Sequence, residues 1–317
     1  MQMKNGVISL GEALIDFIPL DESNLTYQKS PGGAPANVAV GLARLGVHSV
    51  FLGKVGDDVL GNFLIDTLHN YGVVTTHIYK TKETRTGAVF VTLAPNGERS
   101  FDFYINPSAD RFLHSEEIDS ALFEQNKILH FGSISLISEP SRSATERAVQ
   151  LAKENGMVVS YDPNLRLSLW ENENHAKETI ISMLPAADIV KISDEELVFL
   201  TGEEELPAAL KAMERYNIPL LLVTFGENGS YCVTKEGYVH VPAKKVQAVD
   251  TTGAGDAFVS GMLYQLNKYE GNLADITLAE AAEMARFASV SGGLAASVKG
   301  AMTALPTLQQ VNELVLF

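Results

Sequence analysis

The chain has 317 residues, of which 46% are hydrophobic and 20% are charged, so it is long and apolar enough to form the core of a globular protein. Its net charge of -15 disfavours nucleic-acid binding through a basic face, and no run of about 18 apolar residues predicts a membrane span. A single cysteine, Cys232, excludes an internal disulfide. We therefore expect a cytoplasmic protein with neither a nucleic-acid nor a membrane partner.

Strand-like and helix-like segments alternate along most of the chain. The predicted strands are residues 7–10, 49–52, 128–131, 157–161, 188–192 and 220–225. The predicted helices are residues 34–45, 61–71, 141–155, 176–184, 254–266 and 278–295. This alternation predicts an α/β fold, in which helices cover both faces of a parallel sheet.

Two stretches interrupt the alternation, because they carry β-type residues with no helix between them. They are residues 13–28 and 86–104, and the second contains the turn signal Pro95-Asn96-Gly97. We interpret them as a small β-sheet lid inserted within a single domain of residues 1–317. A further hairpin is predicted from residues 230–234 and 238–241.

Polar and small residues follow the predicted strands. They are Glu12, Asp16, Asp162, Asn164, Ser193, Glu196, Thr224, Gly226 and the segment 250–256. Because ligands bind at the carboxyl ends of the strands in open α/β sheets, we expect these residues to meet at one edge. Such a set is typical of an enzyme that acts on a small molecule.

The segment 249–258 is the sharpest local signal. Gly253, Ala254 and Gly255 carry little side chain and open an apolar helical pattern, which predicts free N–H groups that bind an anion. Asp256 would repel that anion, so we interpret it as a base that accepts a proton from an attacking hydroxyl. The alternative is an ordinary loop in which Asp256 caps the helix.

A second signal lies in residues 31–46. Gly32 and Gly33 allow the backbone to approach a ligand closely, and Asn37 offers a donor and an acceptor suited to sugar hydroxyls. The alternative is close packing between helix and sheet, with Asn37 as a cap.

These two segments together resemble the signatures of the PfkB (ribokinase-like) carbohydrate kinases. The N-terminal signature corresponds to residues 32–37 with Gly46 and Gly56, and the C-terminal signature corresponds to residues 250–258. The closing segment 300–307 fits as well, so the resemblance covers essentially the whole chain. Residues 11–17, 161–170 and 191–202 are most similar to bacterial and plant fructokinases.

The resemblance implies a Rossmann-like (ribokinase-like) fold with a β lid and a role for each matching residue. Asp256 would be the catalytic base, with Gly253, Ala254 and Gly255 as an anion hole and Arg166 near the transferred phosphate. The residues implied at the sugar are Asp16, Gly32, Gly33, Asn37 and Phe103. Those implied at the nucleotide are Lys191, Ser193, Thr224, Gly226 and Gly229.

One position departs from the family pattern, which has Asn-x-x-Glu near the metal. This chain has Ser193 in place of the asparagine, and Glu196 is our candidate for orienting Mg²⁺ through water. Ser193 and Glu196 also match a capping box, and both interpretations stay open. Relatives are activated by a monovalent cation near the positions of Asp250 and Gly300, so K⁺ is a further expectation.

The sequence thus predicts an ATP-dependent sugar kinase that most closely fits the conversion of fructose to fructose 6-phosphate. The alternatives are a kinase for 2-keto-3-deoxygluconate or a nucleoside, and a non-catalytic sugar-binding regulator. A nucleotide-linked oxidoreductase is disfavoured because Phe258 stands where the third glycine of a GxGxxG fingerprint would fall. Phe101 and Phe103 would lie over the sugar or in a homodimer contact through the lid.

Overall fold

The structure is a computed structural model that describes residues 4–94 and 99–315. The predicted turn at Pro95-Asn96-Gly97 lies outside these ranges. The thirteen strands of the described residues are β1 (Val7–Leu10), β2 (Leu14–Pro19), β3 (Tyr27–Gly32), β4 (Ser49–Gly56), β5 (Ile78–Thr81), β6 (Gly87–Leu93), β7 (Arg99–Phe103), β8 (Ile128–Phe131), β9 (Val158–Tyr161), β10 (Ile189–Ser193), β11 (Leu220–Thr224), β12 (Ser230–Thr234) and β13 (Gly237–Val241).

The same ranges contain ten α-helices. They are α1 (Ala34–Arg44), α2 (Val59–Asn70), α3 (Ala121–Gln125), α4 (Ser141–Glu154), α5 (Glu173–Met183), α6 (Asp194–Thr201), α7 (Leu206–Met213), α8 (Ala254–Lys268), α9 (Leu278–Ala296) and α10 (Leu308–Val315). None of these helices is long and apolar enough to cross a membrane.

The main sheet has nine strands in the order β13-β12-β11-β10-β9-β8-β1-β4-β5. Seven neighbouring strands, from β11 to β5, run parallel, which confirms the predicted α/β fold. The predicted hairpin, β12 and β13, adds an antiparallel edge to β11, so the sheet is mixed rather than wholly parallel. From β1 the chain proceeds first to β4 on one side and later to β8 on the other, which makes the carboxyl end of β1 a switch point where ligands bind.

Helices pack on both faces of this sheet because alternate strand residues point to opposite sides. Val7 packs in one buried cluster with residues of α1, α8 and α9, whereas the next residue, Ile8, packs in another cluster with residues of α4. The parallel strands are therefore apolar on both faces, as the sequence pattern predicts.

The two interrupting stretches form a separate four-stranded sheet in the order β3-β2-β6-β7, which is the predicted lid. Its strand β3 continues to Gly32, beyond the predicted end at residue 28. Phe90 contacts Phe17, Tyr27 and Tyr104, with ring centroids 4.9 to 5.5 Å apart. Phe17 and Asp16 are neighbours on one strand, so this aromatic cluster lies on the opposite face of the lid from Asp16.

The prediction missed several short elements, among them β5 and α7. The edge strand β5 pairs only with β4, and its residues are mostly half-exposed, so it lacks the apolar pattern of the inner strands. Pro207 lies in the first turn of α7, where proline is compatible with the start of a helix. The helix has only eight residues, so its apolar pattern is too short to stand out in the sequence.

Asp58 fixes one root of the lid to the main domain. Its carboxylate caps α2 by accepting the N–H groups of Leu60 and Gly61 at 3.0 and 2.8 Å. It also accepts the N–H and the hydroxyl of Thr86, the residue before β6, at 2.9 and 2.8 Å. Partial burial alone would raise the pKa of Asp58, but these hydrogen bonds lower it below its usual value.

We expect Asp58→Ala to lower the free energy of unfolding by about 1–2 kcal/mol, because it removes a helix cap and the acceptor for Thr86. Asp66→Ala is the matched control, since Asp66 is an exposed acid on the same helix. Urea unfolding of both variants measures the difference. Equal stability of the two would contradict a role of Asp58 at the lid root.

Candidate active site

A cleft of about 890 Å³ lies between the lid and the carboxyl edge of the main sheet. Its walls include eleven of the predicted site residues: Asp16, Gly33, Asn37, Phe103, Arg166, Lys191, Ser193, Glu196, Gly253, Gly255 and Asp256. Residues separated by more than 200 positions therefore meet in one place, as the switch-point argument predicts.

The remaining predicted residues, among them Thr224, Gly226 and Gly229 of the expected nucleotide site, do not line this cleft. Ala254 begins α8, and Thr224 pairs with Ser193 across β11 and β10. Gly226 starts the turn that follows β11, and Gly229 has a positive φ of 96°, at which a Cβ would collide with the carbonyl of Val241. The shape of the hairpin thus requires Gly229, and its role at a nucleotide stays a prediction.

Asp256 lies in the first turn of α8, where Gly253 is the N-cap residue and offers no side chain to the free N–H groups. Asn37 Nδ2 donates a 2.8 Å hydrogen bond to Asp256 Oδ2. Burial raises the pKa of Asp256 to about 6, the Asn37 hydrogen bond opposes this shift, and the charge of Asp162 adds to it. A carboxylate of this pKa is ionised at neutral pH and is a stronger base than an exposed aspartate.

Lys191 brings a positive charge to the same helix terminus. Its ammonium lies 3.2 Å from Asp162 Oδ2 and would be 3.6 Å from a Cβ on Gly255. Burial alone would lower the pKa of Lys191, but the carboxylates of Asp162, Glu196 and Asp256 outweigh it and raise the pKa above its usual value. Lys191 therefore stays charged beside the N–H groups of α8, an arrangement of the kind that binds anions.

Asp16 faces the cleft from β2 of the lid. Burial raises its pKa to about 6, while Arg166 opposes this shift and Asp256 adds to it. Gly32, on the adjacent β3, leaves room for the Asp16 carboxylate, because a Cβ there would collide with Asp16 Oδ2. Gly32 therefore affects the predicted sugar pocket indirectly, because its lack of a side chain leaves room for the Asp16 carboxylate.

Arg166 lies on an exposed loop between β9 and α5, at the mouth of the cleft. Its Nη1 donates to the carbonyl of Leu165 at 3.0 Å. Its positive charge lowers the pKa values of both Asp16 and Asp256, against the effect of burial. A cation in that position suits a phosphoryl group in transfer.

Glu196 forms the predicted capping box with Ser193, and it also holds the neighbouring loop. Its Oε2 accepts the N–H of Ser193 at 2.8 Å, and the N–H of Glu196 donates to Ser193 Oγ at 3.1 Å. Its Oε1 accepts the N–H of Leu165 at 2.7 Å. No group of three or more His, Cys, Asp or Glu side chains in the described ranges could hold a metal ion alone. Glu196 keeps free lone pairs on the cleft wall, so these residues fit a cation that retains most of its water.

Phe101 of the lid also lines the cleft, as predicted for it together with Phe103. The lid contributes three further residues that the sequence analysis did not single out: Leu14, Val89 and Ser100. Side chains two positions apart on a strand share a face, so Leu14 could have been inferred from Asp16. The pairing of Lys191 with Asp162 had no comparable local signal.

The sequence model of the pfkB family carbohydrate kinases matches residues 4–308. The chain belongs to this family. "Probable fructokinase-6, chloroplastic" of Arabidopsis thaliana is 46% identical over 98% of this chain and 82% of its own length.

Two solved kinase structures share the fold over nearly the whole chain. Fructokinase from Vibrio cholerae O395, with fructose, ADP and calcium ion bound, has a TM-score of 0.91 and 41% identity over 98% of this chain and 99% of its own. A double mutant of that enzyme holds fructose, ADP and potassium ion. Aminoimidazole riboside kinase from Salmonella enterica, with its riboside and an ATP analog, has a TM-score of 0.88 and 34% identity over 98% and 100% of the two chains.

For a kinase that uses Asp256 as base, the pKa of about 6 predicts the pH dependence of turnover. Protonation of Asp256 removes the acceptor, so kcat with ATP and saturating sugar should fall about tenfold per pH unit below pH 6 and level off above pH 7. Fluorescence of Trp170, the one tryptophan of the chain, checks that the protein stays folded over this range. A flat kcat between pH 5 and pH 7 would contradict the assignment.

Proposed function

We propose that the protein is an ATP-dependent fructokinase, which transfers the γ-phosphoryl group of ATP to the 6-hydroxyl of fructose. The observation that carries this proposal is the placement of Asp256, which Asn37 holds at the N-terminus of α8 in a lid-covered cleft. The fructokinases among the relatives, similar over nearly the full chain, support fructose as the acceptor.

In the reaction, Asp256 accepts the proton of the sugar 6-hydroxyl as that oxygen bonds to the γ-phosphorus. The bond from the γ-phosphorus to the oxygen that bridges it to the β-phosphate breaks, and ADP leaves with that oxygen. The N–H groups at Gly253 to Gly255 and the charges of Lys191 and Arg166 stabilise the charge on the transferred group. The lid limits the access of water, which would otherwise compete as acceptor.

Asp16 favours a neutral sugar as the acceptor. Its largely buried carboxylate needs donors, which adjacent sugar hydroxyls supply, whereas the carboxylate of 2-keto-3-deoxygluconate would meet the negative charge of Asp16. Phe103 and Gly33 complete the wall of this pocket. A riboside is the second candidate acceptor, because the Salmonella enterica kinase shares the fold at 34% identity.

The nucleotide lies along the ends of β10 and β11 in this proposal, beside Ser193, Thr224, Gly226 and Gly229. Glu196 would hold Mg²⁺ through water, and the ion would neutralise charge on the ATP phosphates. K⁺ would bind near Asp250 and Gly300, in keeping with the potassium in the Vibrio cholerae double mutant.

Exposed aromatic residues on the lid support the further proposal that the protein forms a homodimer through this sheet. Phe101 and Tyr104 are 53% and 70% exposed on it, and a small sheet of this kind gains stability when its apolar residues are covered. The buried lone Cys232 suits a reducing compartment, and we place the reaction in the cytoplasm.

A panel of acceptors with Mg-ATP, assayed by release of ADP, tests the proposed function. We expect the highest kcat/KM for fructose, above the riboside and 2-keto-3-deoxygluconate. A higher kcat/KM with another acceptor would contradict fructose as the substrate.

The variant Asp256→Asn tests the base. Asparagine keeps the shape of aspartate but cannot accept the proton, so kcat should fall about 100-fold or more while ATP binding persists. A kcat close to that of the unmutated protein would remove Asp256 from the mechanism.

Glu196→Gln separates the metal role from the capping role. Glutamine has one acceptor oxygen, so one of the bonds from Ser193 and Leu165 is lost, and stability should fall by about 1 kcal/mol. If Glu196 also holds Mg²⁺, half-maximal activity should need several-fold more Mg²⁺. Glu280→Gln is the matched control, since Glu280 has the same position in the capping box of Thr277 on α9. Equal Mg²⁺ requirements in the two variants would leave Glu196 only its structural role.

A further inference from the structure

Glu12 is a buried acid that the proposed mechanism does not use. It follows β1 at the switch point of the sheet and is only 4% exposed. Its Oε1 accepts the N–H of Ala34 at 3.1 Å, whereas its Oε2 has no hydrogen-bond partner among the described residues. A buried acid in this state calls for a physical explanation.

The hydrogen bond from Ala34 supplies what the start of α1 lacks. The N-cap residue of α1 is Gly33, which has no side chain, and the first turn of the helix contains no acidic residue. The free N–H groups of a helix start are usually bonded by such residues. Glu12 therefore caps α1 from a different element, the end of β1.

The backbone is shaped for this contact. Gly11 and Gly33 both have positive φ values, 148° and 102°. A Cβ on Gly11 would lie 2.6 Å from Pro35 Cγ, and a Cβ on Gly33 would collide with the carbonyl of Glu12. The two glycines let the end of β1 and the start of α1 approach closely enough for Glu12 to reach Ala34.

The same helix start positions Asn37. The N–H of Asn37 donates to the carbonyl of Gly33 at 2.8 Å, and its Nδ2 donates to Asp256 Oδ2 at 2.8 Å. Its Oδ1 has no partner among the described residues, so the backbone of α1 and the bond to Asp256 set the direction of this amide. A shift of the first turn of α1 would move Asn37 away from the base.

The surroundings of Glu12 favour its neutral form. The charged groups that act on it are Asp110, Asp256 and Arg111, and the Arg111 guanidinium donates to Ser138 Oγ at 2.8 Å. Burial raises the pKa of Glu12 to about 8, with contributions from Asp110 and Asp256, although the backbone N–H groups of Glu12 and Ala34 oppose the shift. The lack of a hydrogen-bond partner for Oε2 within the described part of the chain agrees with this, since an ionised carboxylate would need donors on both oxygens.

We propose that Glu12 is a positioning residue for phosphoryl transfer: its carboxyl group caps α1 from the end of β1 and so holds Asn37 against Asp256. This inference rests on the proposed function, because the reaction that it positions is the one proposed above. It differs from the role of Asp16, which contacts the sugar.

Two substitutions at Glu12 test the proposal by kinetics with fructose and ATP. Glu12→Gln keeps an acceptor for the N–H of Ala34 and matches the neutral acid, so kcat should stay within about twofold. Glu12→Met has similar length but no such acceptor, so kcat should fall about tenfold or more, because a small misplacement of catalytic groups is costly. Thr277→Ala, which removes the cap of α9 away from the cleft, is the control and should lower stability without this loss.

A double-mutant cycle asks whether Glu12 acts through Asn37. If it does, Glu12→Met combined with Asn37→Ala should lower kcat no further than Asn37→Ala alone. Multiplicative losses would overturn the proposal, as would a Glu12→Gln variant as impaired as Glu12→Met. A kcat loss in Glu12→Met that is matched by Thr277→Ala at equal melting temperature would also overturn it.

The titration of Asp256 gives a readout that needs no activity. The ¹³C carboxyl signal of Asp256, identified by its absence in Asp256→Asn, should titrate near pH 6 in the unmutated protein and in Glu12→Gln. In Glu12→Met it should titrate at higher pH, because the Asn37 hydrogen bond that lowers this pKa is lost. The charges of Asp16, Asp162, Lys191 and Arg166 around Asp256 stay the same in all variants.

These two measurements separate the two proposals. A lack of turnover with fructose in the unmutated protein would overturn the proposed function, and the titration would still decide the role of Glu12. An unchanged midpoint in Glu12→Met would overturn the positioning role even if fructose is the substrate. If Glu12→Met does not fold, a shifted midpoint or reduced kcat in Glu12→Gln would overturn the proposal, and a near-normal result would support it.

Discussion

The hydrogen bond between Asn37 and Asp256 is the interaction on which the site depends. It joins α1 to α8 through two residues that lie 219 positions apart in the chain. The helices α1 and α8 must pack closely for this bond to form. Gly41 permits this, because a Cβ there would collide with Ser260 Oγ. Ser260 in turn donates to the carbonyl of Asp256 at 2.7 Å, so the residues that bring the helices together also hold the turn that carries the base.

The cleft has an electrostatic conflict, because in the proposed reaction the negatively charged γ-phosphate of ATP would approach the carboxylates of Asp16, Asp162 and Asp256. Lys191 reduces this conflict, because it pairs with Asp162 beside the N–H groups of α8. Burial raises the pKa values of Asp16 and Asp256 to about 6, which still leaves both carboxylates ionised at neutral pH. The raised pKa suits the proposed role of Asp256, because a base whose pKa is closer to neutrality accepts a proton more readily. The positive charge of Lys191 is thus local, within a chain whose net charge is -15.

The lid combines two functions on the two faces of one small sheet. Asp16 and Phe103 face the cleft, whereas Phe17 and Phe90 stack on the other side. The alternation of side chains along a strand makes this division, and Asp58 fixes the start of β6 to the main domain. The proposed sugar pocket therefore depends on the register of the lid strands, since a slip by one residue would exchange the two faces.

Local patterns in the sequence determined the order of the longer strands and helices, the two lid segments and the turn that carries Asp256. Each of these follows from a few neighbouring residues, because apolar residues recur every two positions in a strand and every 3.6 in a helix, and glycines mark turns. Tertiary structure alone decided that the predicted hairpin joins the main sheet at β11, that Lys191 pairs with Asp162 and that Glu196 forms a second bond to Leu165. It also decided that Glu12, an ordinary acid after a strand by its sequence position, caps a helix 22 residues later. These contacts depend on strand order and helix packing, which bring together residues that no local pattern relates.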